Sequence, residues 1–169
     1  MNKKKRNKKL QKFLVRLSRI LGSIVILTVV LLLIPLTFPR LLKYETFNVV
    51  SGSMEPEISV GSLLLVKRID PFEVKEGDII TFYSNAVVVS HRVLSNNTFE
   101  RTFTTKGDAN ENRDLNDTSY NDFIGIVEGH IPLLGMIGEY LSTASGKLLV
   151  IELLICSILL FAVSDKVKI

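Results

Sequence analysis

Cysteine is almost absent: the 169 residues contain one, Cys156, and it falls inside an apolar run. No intrachain disulfide can brace the fold, and a lipid-facing or packed thiol is the plain reading of that residue. Histidine is scarce as well, with only His91 and His130. Any chemistry that needs an imidazole therefore has two candidates. No internal repeat is evident. Acidic residues are missing from positions 1–19, which hold nine of the chain's 21 basic residues. Behind that segment stand twelve basic residues against 17 acidic ones, so the net charge of +4 hides an acidic body behind a basic tail. Such a distribution argues against nucleic acid, which needs positive charge on the folded surface. A basic tail beside an apolar run instead sets membrane orientation.

Charge is next absent between Arg19 and Arg40, where twenty residues read ILGSIVILTVVLLLIPLTFP. About 20 apolar residues cross the ~30 Å hydrocarbon layer. A cleaved signal peptide would have an apolar core of only ~7–15 residues and a small-x-small site after it. LTFPRLLKY offers no such site, so 20–39 is expected to be an uncleaved signal anchor that Pro35 kinks or ends. A second run, 148–164, lies between Lys147 and Asp165 and contains Glu152, two turns or less from Lys147 and so near an interface. A peripheral or buried helix is the rival reading of this run. Lys166 and Lys168 follow it. The expected layout is a basic cytoplasmic tail over 1–19, a span over 20–39, an extracytoplasmic domain over 40–147, a span over 148–164 and a cytoplasmic tail over 165–169. Both termini then lie in the cytoplasm of a multi-pass protein of the cell membrane.

The 40–147 segment is expected to be mainly β. Short runs rich in Val, Ile, Thr, Phe and Tyr predict strands over Leu63–Arg68, Asp78–Tyr83, Val87–Leu94, Thr98–Thr105 and Ile124–Glu128. Pro71, Gly77 and Ser84-Asn85 punctuate them. Polar residues crowd 106–122, which predicts a long loop. The stretch 131–141, broken by Gly135 and Gly138, predicts a short segment along the membrane, and no long helix is expected outside the spans.

Three stretches carry chemistry. SGSMEP at 51–56 holds Ser51 and Ser53 around Gly52, with Pro56 at the exit. A serine is a poor nucleophile until a base takes its proton, and the reaction needs donors for the developing oxyanion. The bland alternative is a polar turn, in which Gly52 lets the backbone bend sharply. VVVSHRVL puts Val89, His91 and Val93 on one strand face and Val88, Ser90 and Arg92 on the other. His91 is then either a satisfied core residue or a base shielded from water, and an imidazole ordinarily titrates near ~6.5, which suits neutral pH. His130, beside Ile131-Pro132, reads as structural. TKGDANENRD supplies Asp108 and Asp114, either of which could orient the imidazole. The bland readings are a solvated loop or calcium. Asp108, Asn110 and Asn112 follow the rhythm of a calcium loop, but Arg113 and Ser119 stand where glycine and an acid are needed. No metal or cofactor is expected.

SGSMEP, GDII at 77–80, SHRV at 90–93 and KGDANENRD at 106–114, in that order behind an N-terminal anchor, resemble type I signal peptidase. The histidine marks the endoplasmic-reticulum, archaeal and SipW-like branch, since housekeeping bacterial members carry lysine as the base. The resemblance covers roughly 44–130 and the two-span layout. It implies Ser53 as nucleophile, His91 as general base, Asp114 as the third member of the triad and Asp108 in support, with the Ser51 hydroxyl joining the Ser53 amide at the oxyanion. It also implies a β-rich catalytic domain on the outer membrane face. Its substrates would be signal-peptide-bearing precursors, cut after small residues at −1 and −3 and bound as extended strands. Partner subunits of a secretion machinery are not specified by any residue. Compared with housekeeping members, the domain lacks a larger second β-region. Ser53 stands fifteen residues past Phe38; at ~3.3–3.6 Å per residue the tether is at most about 50 Å, which keeps the serine near the bilayer. Met54, Leu63 and Leu64 are candidates for pocket lining or lipid contact. The rival functions are a non-catalytic membrane adaptor that binds exported chains, and a protease of the same mechanism that cuts membrane-bound signalling partners.

Overall fold

The computed structural model describes residues 3–166. They form two compact units, one made of the residues up to Leu36 together with those from Tyr140 onward, the other of Thr37–Glu139.

The first unit is helical. Helix α1 runs from Lys3 to Leu41, so the basic segment expected to be a tail is helical from Lys3 onward, and Pro35 does not end the helix. A proline inside a helix removes one backbone hydrogen bond, a loss that helices of membrane type tolerate. The predicted second span lies within α3, Ala144–Lys166, preceded by α2, Leu134–Ser142. Both α1 and α3 contain stretches long and apolar enough to cross a membrane. Gly22, Val25, Val29, Leu32 and Leu36 recur every three or four residues along the covered side of α1. Against α1, the Phe161 ring approaches Gly22 so closely that a Cβ there would sit 3.1 Å from Phe161 Cε2. Arg19 donates from Nε to Ser164 Oγ at 2.6 Å and pairs with Asp165 at 3.1 Å. Glu152 and Cys156 are exposed on α3.

The second unit is a seven-stranded antiparallel sheet: β1 Tyr44–Asn48, β2 Leu63–Lys67, β3 Ile79–Ser84, β4 Val87–Asn97, β5 Thr102–Lys106, β6 Thr118–Ser119 and β7 Phe123–Ile131. Their spatial order is β1-β2-β7-β3-β4-β5-β6. The five predicted strands are present with shifted ends. Two more exist that the sequence pattern did not announce: β1, paired along β2, and the two-residue β6 inside the stretch expected to be loop. The stretch 131–141, expected only as a short segment along the membrane, is largely helical, as α2.

Two apolar clusters fill the folded interior. One gathers Met54, Ile58, Leu64, Val66 and Ile124, the other Val74, Ile80, Phe82, Val93 and Phe103. Leu63 is buried as well, so none of Met54, Leu63 and Leu64 is a free surface residue. Asn96 ties the short 3-10 helix Pro71–Glu73 and its cap Val74 to the second cluster: its amide donates to the carbonyls of Pro71 and Val74, and its oxygen accepts from the Tyr120 hydroxyl.

On the outer surface of β1, β2 and β7, Glu128 accepts from Lys67 at 2.7 Å and from the Tyr44 hydroxyl, while Arg68 pairs with Glu45. Lys67 and Tyr44 hold the Glu128 carboxyl below its ordinary value, and the same contacts raise Lys67 and Tyr44 above theirs. A depressed carboxylate contributes stability above its unfolded value and loses it as pH falls through its folded one. The raised Lys67 and Tyr44 contribute below their unfolded values and lose that as pH climbs through their folded ones. The three-strand edge is therefore best held between the carboxylate and the lysine ranges. The network is exposed and screened by salt, so Glu128→Gln is expected to flatten the acid side of a melting-temperature-versus-pH curve at low ionic strength and to leave it unchanged at high salt.

Candidate active site

The turn that carries Ser53 leaves β1 through Val49, whose N–H donates to Ser62 O at 3.0 Å and whose carbonyl accepts from Gly61 N at 2.8 Å. Met54 and Ile58 then anchor the turn, both buried in the first cluster, with Ile58 N donating to Met54 O at 2.8 Å. Ser53 is left half-buried between exposed Gly52 and buried Met54. The glycine expected to permit the bend is not in the left-handed region, and a Cβ on it would meet nothing nearer than the Glu55 side chain at 3.6 Å. The constrained glycine is Gly107 on the facing loop. A Cβ there would lie 2.7 Å from Ser53 O.

His91 comes from the inward face of β4, with Val93 buried and Val89 half-buried on the same side. The residue is 8% exposed, and its ring meets Phe82 edge-on at 6.2 Å. Its Nε2 lies 3.2 Å from Ser53 Oγ and its Nδ1 lies 2.7 Å from Asp114 Oδ2. A carboxylate only accepts, so Nδ1 carries the proton of the neutral ring and Nε2 is left as the acceptor facing the serine. Asp114 is fastened twice to Thr105: its N–H donates to Thr105 O at 2.9 Å, and its Oδ2 accepts from Thr105 Oγ1 at 2.6 Å.

Asp108 has a different partner. It receives both arms of the Arg92 guanidinium, Nε to Oδ1 at 2.8 Å and the second arm to Oδ2 at 2.6 Å. The hydrogen bond to Asp108 raises the Arg92 pKa further. A third donor of Arg92 reaches Gly77 O at 2.8 Å, in a turn where Gly77 has a φ of +91°. Next to Asp108, Ala109 N donates to Ser53 O at 2.9 Å. The loop is therefore pinned by the ion pair on one flank and holds the serine turn from the other. Ser53, His91 and Asp114 are brought into one line, Asp108 is set beside that line, and His130 stands apart on β7 opposite Leu64. Arg92, Thr105 and Gly107 were not singled out from the sequence. A threonine alternating with Phe103 on the inward face of a strand was the one available signal.

Two hollows meet here. A cavity of about 260 Å³ is lined by Ser51, Ser53, Met54, Ile58, Leu64 and the start of β4 over Val87–Ser90, among others. A wider, polar hollow of about 840 Å³ lies along His91, Asp114 and the 109–118 segment. Val89 borders both. Among the described residues no cluster of His, Cys, Asp and Glu has the form of a metal site.

A family model described as signal peptidase, peptidase S26, matches residues 20–121, a stretch that includes Ser53, His91, Asp108 and Asp114. Signal peptidase I W of Bacillus subtilis (strain 168) is 45% identical to this chain over 76 residues, which is 43% of this chain and 40% of the relative. The matched stretch thus spans about two fifths of that relative's length.

Breaking the Arg92–Asp108 pair leaves a mostly covered carboxylate without its donors, a loss of about 1.5–3 kcal/mol. Arg92→Ala is expected to show that loss in urea unfolding and to speed hydrogen exchange at the Ala109 amide. Arg92→Lys, which keeps the charge but not the fork, is expected to recover only part of it.

Proposed function

Because the chain belongs to the signal peptidase family, peptidase S26, we propose that it is a membrane-bound serine endopeptidase that removes signal peptides from exported precursors, cutting after small residues at −1 and −3. The observation that carries this reading is the hydrogen-bonded line from Ser53 Oγ through the His91 ring to Asp114. In the proposed reaction His91 Nε2 takes the serine proton as Oγ attacks the scissile carbonyl carbon. Asp114 keeps Nδ1 protonated and stabilises the imidazolium. The Ser53 N–H and the Ser51 hydroxyl donate to the oxyanion. The protonated ring then gives its proton to the departing amine, which is the new N-terminus of the mature chain. Water, activated by the same ring, releases the signal peptide from Ser53.

The substrate would lie extended between residues 48–50 and the start of β4, using backbone bonds for affinity and the neighbouring cavity for selection. The modest size and apolar lining of that cavity suit small side chains. The two apolar helices act as spans in this reading, with residues 40–147 outside, both termini in the cytoplasm, and the lipid bilayer and signal-peptide-bearing precursors as partners. Asp108 supports the site through Arg92 and the serine turn rather than through the imidazole.

Ser53→Ala and His91→Ala are expected to abolish precursor cleavage, a drop of at least about 10³-fold, while circular dichroism stays that of the native protein. His91→Lys is expected to be inactive too, since a flexible ammonium does not reproduce the ring's two-sided geometry. Mass spectrometry of the new N-termini, against Ser53→Ala, reads out the cut site. Full activity in any of these variants would overturn the assignment. Separately, the rate is expected to decline on acidification, because a protonated imidazole cannot accept the serine proton; a rate that acidification leaves unchanged down to the onset of unfolding contradicts His91 as the base.

A further inference from the structure

Thr105 is fully buried on β5, opposite Val93 and on the same inward face as Phe103. Valine and threonine both suit a strand, so strand preference does not account for the hydroxyl, and the apolar neighbours would favour valine. A buried hydroxyl is costly unless it is hydrogen-bonded, and this one donates to Asp114 Oδ2, the same oxygen that His91 Nδ1 reaches. The Thr105 carbonyl also accepts the Asp114 N–H. Backbone and side chain of one residue thus fix Asp114 at both ends. An aspartate on a loop otherwise has two freely rotating bonds with which to lose its imidazole.

We infer that Thr105 is a positioning residue of the catalytic set, holding the Asp114 carboxylate in the one orientation that presents Oδ2 to the His91 ring. This rests on the hydrolytic reading given above. Thr105 lines neither of the two hollows at the site, so it acts through Asp114 and not on substrate. Besides Asp114, the charged residues bordering the hollow beside His91 are Glu111, Arg113, Asp117 and Asp122. None of them has a hydrogen bond to the Asp114 carboxylate among the contacts described.

The test uses the full chain in detergent and a peptide spanning a precursor cleavage site. Thr105→Val is expected to lower kcat about ten- to a hundredfold, the range for losing one hydrogen bond to a charged group. KM is expected to stay within about twofold, because no substrate contact is removed. Thr105→Ser, which restores a hydroxyl, is expected to recover most of kcat. In an Asp114→Ala background, Thr105→Val is expected to cost nothing further, since the two residues act as one unit. Circular dichroism and thermal melting check the fold, and Thr105→Ala supplies the same comparison where valine disturbs it. Wild-type kcat in the hydroxyl-free variants overturns the inference, and so does an equal loss in the Asp114→Ala background. Either result, found with Ser53→Ala inactive, leaves the proposed hydrolase standing. Cleavage that survives Ser53→Ala overturns the hydrolase itself.

Discussion

Strand β4 is gripped from both faces by a single loop. On the inward face His91 meets Asp114 at 2.7 Å; on the other, Arg92 takes Asp108 with both arms. Consecutive strand residues point to opposite faces, so a loop that contacts both must wrap the strand, and the five residues between the two acids are enough to do so. The serine turn is then attached to this loop, through Ala109 N and the close approach of Gly107 to Ser53 O. Serine, histidine and aspartate arrive from three distant parts of the chain, yet their mutual placement reduces to one loop held on one strand. A loop tied by a bidentate ion pair is held in a narrower range of geometries than a free loop.

Polar groups at this site are buried and satisfied together. His91 is mostly covered, Thr105 is fully covered, and each finds its partner on Asp114. In such surroundings an unmet donor costs more than it would in water, while a met one is stronger. The network is consequently all-or-none in character: removing one member strands another. That is also why the alternation of Val89, His91 and Val93 is ambiguous as a pattern. The same burial that makes a core histidine makes a shielded base, and only the acceptor on one side and the hydroxyl on the other distinguish them.

Much of this was legible in the chain. Long apolar runs marked the two long helices, and short runs rich in Val, Ile, Thr, Phe and Tyr between turn residues marked five strands. The order of SGSMEP, SHRV and KGDANENRD marked the residues that assemble. The failures have physical causes. Strand β1, Tyr44–Asn48, reads YETFN, with a charge and an amide among its five residues; it is a strand because Leu63–Lys67 lies beside it, a long-range pairing that local propensity does not encode. Helix α1 continues through the basic segment and past Pro35 because one proline removes one bond in a long ladder and does not cancel the rest. Spacing offered two acids and no means to divide them. The division is made by Arg92, whose fork claims Asp108 from the face of β4 that His91 does not occupy.

The departure of one chain segment from the sheet ties the placement of Asp108 and Asp114 to an open strand edge. β5 pairs with β4 only from Arg92 onward, with Arg92 opposite Lys106. Beyond Lys106 the chain leaves the sheet to become the loop that carries Asp108 and Asp114. Had it continued as a strand, residues 107 onward would have covered Val87–His91 and satisfied their outward backbone groups. Because it leaves, that half of β4 is paired to β3 alone, and its other edge is open beside the serine turn. An open edge is a template for another strand. The geometry that delivers Asp114 to His91 is thus the geometry that leaves this strand edge unpaired, and lengthening β5 would remove both at once.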